Sequence, residues 1–349
     1  MTMSSSAAAV LGDAASQELS GRSALSFERG VPRTLVHKLA VSEVLLTDAV
    51  RTGSHRFTIA AQWPQHHVLF GSGARPADPL LLLETVRQTG IYISHVHYDV
   101  PLNYPFVLTS VDYELTPAAA DPAGPVNGGT APRNVLVDVV TAPETDGTQR
   151  FGMSLDAQVV VDGRLLGRVG LCWQALKPGH YERIRFPNGV SSTPVTGPGT
   201  LRPELAAPVA PPGTFGRSHP RDTMLAAGPV PGTWALRLDT THPIYFDHGC
   251  DHTPGMALIE AFHQAAALTS GRFAGLEPAD VRWTLESSAV AFLAFGELDR
   301  PVTITTEHTP ESDGPGLQAV RVRAEQDDRL LAVAALIGTV TPASTGAVR

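Results

Sequence analysis

The sequence predicts an α+β protein made of two copies of one unit, each a long apolar helix wrapped by an antiparallel sheet. Three observations predict it. A chain of 349 residues is too long for one core of ordinary size and suits two of about 150 residues each. A stretch from 187 to 220, with prolines at 187, 194, 198, 203, 208, 211, 212 and 220 and Gly and Ser between them, reads as a linker. On either side of it the same elements recur in the same order, each set led by an apolar helix with a glutamate in its middle. The expected organisation is a disordered N-terminus at 1–30, a first unit at 31–186, the linker at 187–220 and a second unit at 221–349.

In the first unit a strand at 56–61 leads through Trp63 to His67 into a helix starting after Asp78. In the second, residues 234–239 lead through Asp247 to His252 into a helix starting after Thr253. Asp78 and Thr253 are good N-caps, which puts Pro79 and Pro254 at the first helical position, where a missing N–H costs nothing. The helices are expected over 79–94 and 254–269, apolar around most of their circumference and therefore enclosed by a sheet. Glu84 and Gln88 superpose on Glu260 and Gln264 with one offset, 260 − 84 = 264 − 88 = 176. Alternating and β-branched stretches then predict strands at 106–114, 135–141, 154–161 and 168–175, and again at 282–292, 302–308, 319–325 and 330–339. Asp162-Gly163 signals a hairpin turn, and the segment recurs at Asp327-Asp328. Residues 115–134, rich in Pro and Gly, read as a mobile loop.

Bulk properties narrow the function classes. A net charge of −8 disfavours nucleic acid as the main partner, since phosphate binding needs clustered Lys and Arg, and an acidic partner would need a local basic patch. No apolar run approaches the roughly 18 residues a membrane helix needs. Met1 to Gln17 lacks the basic start and apolar core of a secretory signal, and the two cysteines, Cys172 and Cys250, make no disulfide framework, so a cytoplasmic protein is expected. Without a P-loop, a dinucleotide fingerprint or a Gly-x-Ser-x-Gly elbow, no cofactor is indicated.

A carboxylate among leucines is expensive to bury and tends to a raised pKa, which suits a general acid or base near neutral pH. Glu84 and Glu260 are such residues, and an equally physical reading pairs Glu84 with Arg87 and Glu260 with Gln264 as helix-stabilising contacts. His66 and His67 precede one helix, and His248 and His252 the other. An imidazole there can polarise a carbonyl or move a proton, while free N–H groups at the helix start hold an oxyanion and Gly255 admits a thioester closely. The run from Asp247 to His252 also carries zinc-ligand types at a spacing that fits no paired site, and Cys250 is a candidate nucleophile whose first-half counterpart is not a cysteine.

His248 followed by Pro254-Gly255-Met256-Ala257-Leu258-Ile259-Glu260-Ala261 resembles the helix start of hot-dog β-hydroxyacyl-carrier-protein dehydratases, with a shorter spacer. Val36-His37-Lys38, Ala61 to Pro64, Asp78 to Gln88 and Asp247 to Met256 together resemble the A-factor biosynthesis (AfsA-type) family over most of both halves. The resemblance implies a tandem hot-dog acyltransferase that joins a β-ketoacyl group, carried by acyl carrier protein, to a hydroxyl of dihydroxyacetone phosphate. The ester then condenses toward a butenolide phosphate, a precursor of γ-butyrolactone, butenolide or furan autoinducers that control antibiotic production. The spacing of the candidate ligands leads to no expected metal, and the oligomeric state is open between a monomeric double hot-dog and a homodimer. Glu84 or Glu260 would act as base, His248 would face Glu84 across the interface, and the first half's histidines would face Glu260. Arg87, Gln88, His252, Gly255, His263 and Gln264 would contact substrate. The family's Arg after the second glutamate is here His263, which lacks the permanent charge and two-point grip of a guanidinium, so the Glu84 site is favoured. Hydrolysis or dehydration of an acyl thioester and non-catalytic lactone binding are the competing readings.

Overall fold

The structure is a computed structural model and describes residues 25–72, 78–120, 132–145, 150–186, 206–230, 232–310 and 316–342. In the first half come β1 (Leu46–Gly53), β2 (Arg56–Trp63), a small hairpin of β3 (His66–His67) and β4 (Gly71–Ser72), helix α1 (Pro79–His97), β5 (Phe106–Leu115), the short α2 (Pro117–Ala120), β6 (Arg133–Thr145), β7 (Arg150–Val161), β8 (Arg164–Leu176) and α3 (Pro178–Arg185). The second half gives β9 (Leu225–Ala227), β10 (Thr233–Leu236), α4 (Gly255–Phe273), β11 (Val281–Phe292), β12 (Thr303–Pro310), β13 (Leu317–Gln326) and β14 (Arg329–Pro342).

Twelve strands form one sheet in the order β1-β2-β6-β7-β8-β5-β11-β14-β13-β12-β10-β9. The second six read outward as the first six do, so the sheet carries an internal two-fold between β5 and β11. Those two strands join the halves antiparallel, with Val111 opposite Val290 and Tyr113 opposite Ser288. Around this pairing Val111, Tyr113, Ser288 and Val290 are buried while Asp112, Glu114 and Ala289 between them are exposed, the alternation of a sheet with one covered face. Helices α1 and α4 each bury fourteen of nineteen residues, as their all-round apolarity requires. Their cores merge into one cluster that runs from Leu80, Leu82 and Val86 to Leu258, Ile259 and Phe262.

The repeat is reproduced in its turns. Asp162 and Gly163 both take positive φ (48° and 79°), as do Asp327 and Asp328 (49° and 59°), the backbone of a two-residue hairpin turn. Helix α1 begins as expected, with Asp78 accepting from the Leu80 N–H at 2.8 Å. Helix α4 does not. Thr253 is no cap: its buried Oγ1 accepts from none of the described helix N–H groups, Pro254 takes extended backbone (ψ 137°) as N-cap, and Gly255 is the first helical residue. The equivalent of Pro79 is therefore Gly255, one residue later than the proline alignment places it.

Part of the expected linker is built structure. Residues 187–205 lie outside the described residues, but 206–220 are described and carry two 3-10 turns, Pro212–Phe215 and Pro220–Asp222. They mirror the turns Arg33–Val36 and Val41–Glu43 that precede β1. The expected loop at 115–134 likewise begins in β5 and α2 and ends in β6, with 121–131 outside the described residues.

Candidate active site

Both glutamates sit in the same scaffold. Gln88 accepts from the Leu45 N–H (2.9 Å) and donates to the Glu43 carbonyl (2.8 Å) and to Glu84 (2.9 Å). Gln264 does the same with Met224, Asp222 and Glu260, at 2.8, 2.8 and 2.7 Å. Each glutamine therefore clamps the 3-10 segment ahead of its unit onto the helix. That segment delivers a cation. Lys38 Nζ lies 3.1 Å from Glu84 Oε1 and 3.1 Å from Asp247 Oδ2. Arg217 grips both oxygens of Glu260, at 2.8 and 2.7 Å, and also bonds Asp78. Each cation so ties the glutamate of its own half to an aspartate of the other.

Arg87 adds a two-point grip on Glu84, Nε to Oε2 at 2.7 Å and Nη2 to Oε1 at 2.9 Å. Burial pushes the Glu84 carboxyl up, but the Arg87 and Lys38 charges and the hydrogen bonds from Arg87 and Gln88 outweigh it and hold the group well below the usual carboxylate range. The raised pKa expected of a glutamate among leucines is thus reversed, because its counter-charges arrive from outside the leucine run. Both helix pairings read from the spacing, Glu84 with Arg87 and Glu260 with Gln264, are present.

A cavity of about 360 Å³ joins the halves, lined by Lys38, Glu84 and Arg87 from the first and by Asp247, His248, His252, Gly255 and Met256 from the second. His248 Nδ1 lies 2.5 Å from Asp247 Oδ1, which leaves Nε2 as the ring's free nitrogen, and its side chain is 47% exposed. Burial raises Asp247, while the hydrogen bond from His248 and the charges of Lys38, His248 and Arg87 bring it below its ordinary value. The Pro254 cap has no side-chain acceptor, and the helical bonding of α4 begins at the Ala257 and Leu258 N–H groups, which both reach the Pro254 carbonyl. The N–H groups of Gly255 and Met256 are left free among the described residues, at the positive end of the helix. A Cβ on Gly255 would lie 3.3 Å from Phe292 Cζ, so a side chain here would crowd this approach.

The cavity of about 250 Å³ beside Glu260 is different. Both Glu260 oxygens are taken by Arg217, and the α1 N-terminus is closed by Asp78. His263, in the place of Arg87, bonds the Tyr113 hydroxyl, and burial together with Arg217 drives its pKa down to about 3 despite Asp78. His263 is neutral, and it does not reach the cavity that holds Glu84.

The first half's histidines do not face Glu260. His67 Nε2 bonds Glu43 (3.2 Å) and its Nδ1 accepts from the Leu69 and Phe70 N–H groups, while His66 is exposed. The counterpart of His67 is His242, bonded to Asp222 (3.1 Å) and to the Ile244 and Tyr245 N–H groups, and not His248 or His252. His252 is held by Asp251 at 2.6 Å. The donor atoms of Cys250, Asp251 and His252 lie within 4.8 Å of one another. Asp251, however, already takes Tyr181 at 2.8 Å and Arg185 at 3.3 Å, and burial pushes the Cys250 thiol up to about 11. Burial outweighs the Arg185 charge, which by itself would favour the thiolate, and so disfavours Cys250 as a nucleophile, while the Asp251 carboxylate is already committed to protein donors.

Lys38, Asp247 and Arg217 received no role from the sequence, although a second offset marks two of them: Pro32, Lys38 and Glu43 map onto Pro211, Arg217 and Asp222 at 179. Among the described residues no helix is long and apolar enough to cross a membrane.

The family model for the A-factor biosynthesis hotdog domain matches residues 20–177 and 202–342. A 2-oxo-3-(phosphooxy)propyl 3-oxoalkanoate synthase of Streptomyces virginiae is 35% identical over 312 residues, 88% of this chain and 97% of the relative. A synthase of the same name from Streptomyces coelicolor is 34% identical over 321 residues, covering 90% and 93%. Among solved structures, a putative oleoyl thioesterase from Lactobacillus plantarum aligns at a TM-score of 0.46 and 12% identity, over 82% of this chain and 97% of that one. With two matched domains on one twelve-stranded sheet that carries a long buried helix in each half, this chain is a tandem hot-dog protein and belongs to the A-factor biosynthesis hotdog-domain family.

Proposed function

We propose that the protein is a 2-oxo-3-(phosphooxy)propyl 3-oxoalkanoate synthase, which transfers a 3-oxoacyl group from an acyl-carrier-protein thioester to a hydroxyl of dihydroxyacetone phosphate. The observation that carries the reading is the convergence, in one cavity, of an uncapped helix N-terminus, an Asp–His pair and an arginine with one edge already spent on a buried glutamate. The thioester oxygen is assigned to the Gly255 and Met256 N–H groups, where negative charge develops as the carbonyl is attacked. His248 Nε2, oriented by Asp247, takes the proton of the acceptor hydroxyl as its oxygen attacks the thioester carbon. When the C–S bond breaks, the same imidazolium returns the proton to the leaving thiolate. The guanidinium edge of Arg87 that Glu84 does not use is assigned to the phosphate.

In this reading Glu84 is an anchor for Arg87 and Lys38, and Gln88, Glu260, His263 and Gln264 hold the scaffold. His252 lines the cavity at the thioester side. The second unit is taken to begin by residue 206, before Arg217, and one chain holds a complete site, so a monomer suffices. The product would feed synthesis of a butyrolactone-, butenolide- or furan-type autoinducer. The test incubates a 3-oxoacyl thioester with and without dihydroxyacetone phosphate and follows thiol release and ester mass. Release that depends on the acceptor and yields the phosphate ester is expected, whereas equal release without the acceptor would make the protein a thioester hydrolase.

A further inference from the structure

Helix α3 ends the first half of the chain but is fastened to the second. Arg185, its side chain 3% exposed, donates to both oxygens of Glu297 at 2.6 Å and to the Asp251 carbonyl at 2.7 Å, and lies 3.3 Å from Asp251 Oδ2. One turn earlier the Tyr181 hydroxyl donates to Asp251 Oδ1 at 2.8 Å, and the Tyr181 ring meets Phe295 edge-on at 6.0 Å. Phe295 in turn meets His252 at 4.8 Å, and both line the cavity that holds Glu84 and His248. The open end of that cavity lies in the same two segments, where His248 is 47% and Leu293 57% exposed. Tyr181 and Arg185, four residues apart, thus pin α3 against the rim of the cavity.

The other face of α3 covers nothing. Lys177, Arg183 and Ile184 are exposed, Ile184 at 48%, and Arg183 Nη2 lies 3.4 Å from His180 Nδ1. At about 100° per residue, Lys177, His180, Arg183 and Ile184 share one side, and Glu182 lies about 160° from His180. The acids next to the helix, Asp251 and Glu297, are already taken by Tyr181 and Arg185 on the inward side. The outward side therefore presents cations around an apolar centre, beside the opening of the site, on a chain whose net charge is −8.

We infer that this outward face, Lys177, His180, Arg183 and Ile184, docks the acidic carrier protein that delivers the thioester. A chain of net charge −8 repels a carboxylate-rich partner except where cations gather, and here they gather at the rim of the cavity that must receive its acyl group. Charge at the edge brings the partner in and sets its orientation, and Ile184 gives the contact an apolar centre.

The inference rests on the proposed synthase reading, and the experiment separates them. The double variant Lys177→Glu, Arg183→Glu and the single variant Ile184→Ser are assayed with the 3-oxoacyl group on acyl carrier protein and, in parallel, on N-acetylcysteamine. With the carrier-bound donor, kcat/KM should fall about tenfold or more in the double variant, with a smaller gap at high salt, and about threefold or more in Ile184→Ser. With the small thioester it should stay within about twofold in both variants, and the denaturation midpoints should match wild type, because these side chains are exposed. Equal falls with both donors, no fall with the carrier-bound one, or a wild type that uses the two donors equally well would overturn docking on α3. Failure of the wild type to form the phosphate ester from either donor would instead overturn the synthase reading.

Discussion

Glu84→Gln separates an anchoring carboxylate from a catalytic base. Four donors converge on Glu84: Arg87 Nε and Nη2, Gln88 Nε2 and Lys38 Nζ, at 2.7, 2.9, 2.9 and 3.1 Å. A glutamine of the same shape presents one oxygen and an NH2 that faces these donors with more hydrogens. It also leaves Lys38, whose side chain is 3% exposed, with Asp247 as its remaining carboxylate, and takes from Arg87 the carboxylate it grips. Breaking a buried pair from one side costs about 3–5 kcal/mol, and that loss is expected in urea unfolding at pH 7. The sign with pH follows from the carboxyl being held below its unfolded value. Its stabilisation is complete above the unfolded carboxylate range near 4.5 and is lost as pH falls below it toward the folded value, so the gap between wild type and Glu84→Gln should narrow below about pH 4.5. A loss under about 1 kcal/mol at pH 7, or a gap that widens on acidification, would refute the anchoring account.

Further outcomes follow from the same geometry. Asp247→Asn removes the carboxylate that sets the His248 tautomer and should lower kcat by about 10²–10⁴-fold with little change in thioester binding, measured by steady-state kinetics. Gly255→Ala places a methyl 3.3 Å from Phe292 Cζ and beside the free N–H groups; kcat should fall by up to about 10²-fold while unfolding free energy moves by less than about 1 kcal/mol. Arg217→Met strands Glu260 and Asp78 and should cost about 3–5 kcal/mol in urea unfolding, yet turnover per folded molecule should be retained, because Arg217 lines the other cavity.

The tandem plan was legible because it is written in local chemistry. The 176 offset of Glu84 and Gln88, the Asp78-Pro79 start and the Asp162-Gly163 turn all depend on residues within a few positions of one another. The site was legible only in outline. The pairing of His248 with Glu84 followed from the family resemblance and the preference for the Arg87 half from His263, and Glu84, Arg87, His248 and Gly255 do line one cavity. The charge state of Glu84 did not follow, because Lys38 lies 46 residues upstream and meets the helix only when Gln88 clamps its turn onto it. Arg217 was hidden for a second reason: it sits among the prolines and glycines of 206–220, whose composition suits a linker and equally suits two 3-10 turns. The one-residue error at Thr253 arose because Pro254 takes extended backbone and is itself the N-cap, which starts the helix one residue later and leaves the Thr253 hydroxyl capping nothing.

The most direct test compares His248→Gln with Glu260→Gln, each incubated with a 3-oxoacyl thioester and dihydroxyacetone phosphate, with the phosphate ester quantified by mass spectrometry and normalised to folded protein. The composite-site account predicts that Glu260→Gln forms the ester at near wild-type rate per folded molecule and that His248→Gln loses about 10²-fold or more. Full turnover by His248→Gln alongside an inactive, folded Glu260→Gln would place the chemistry in the other half and contradict it.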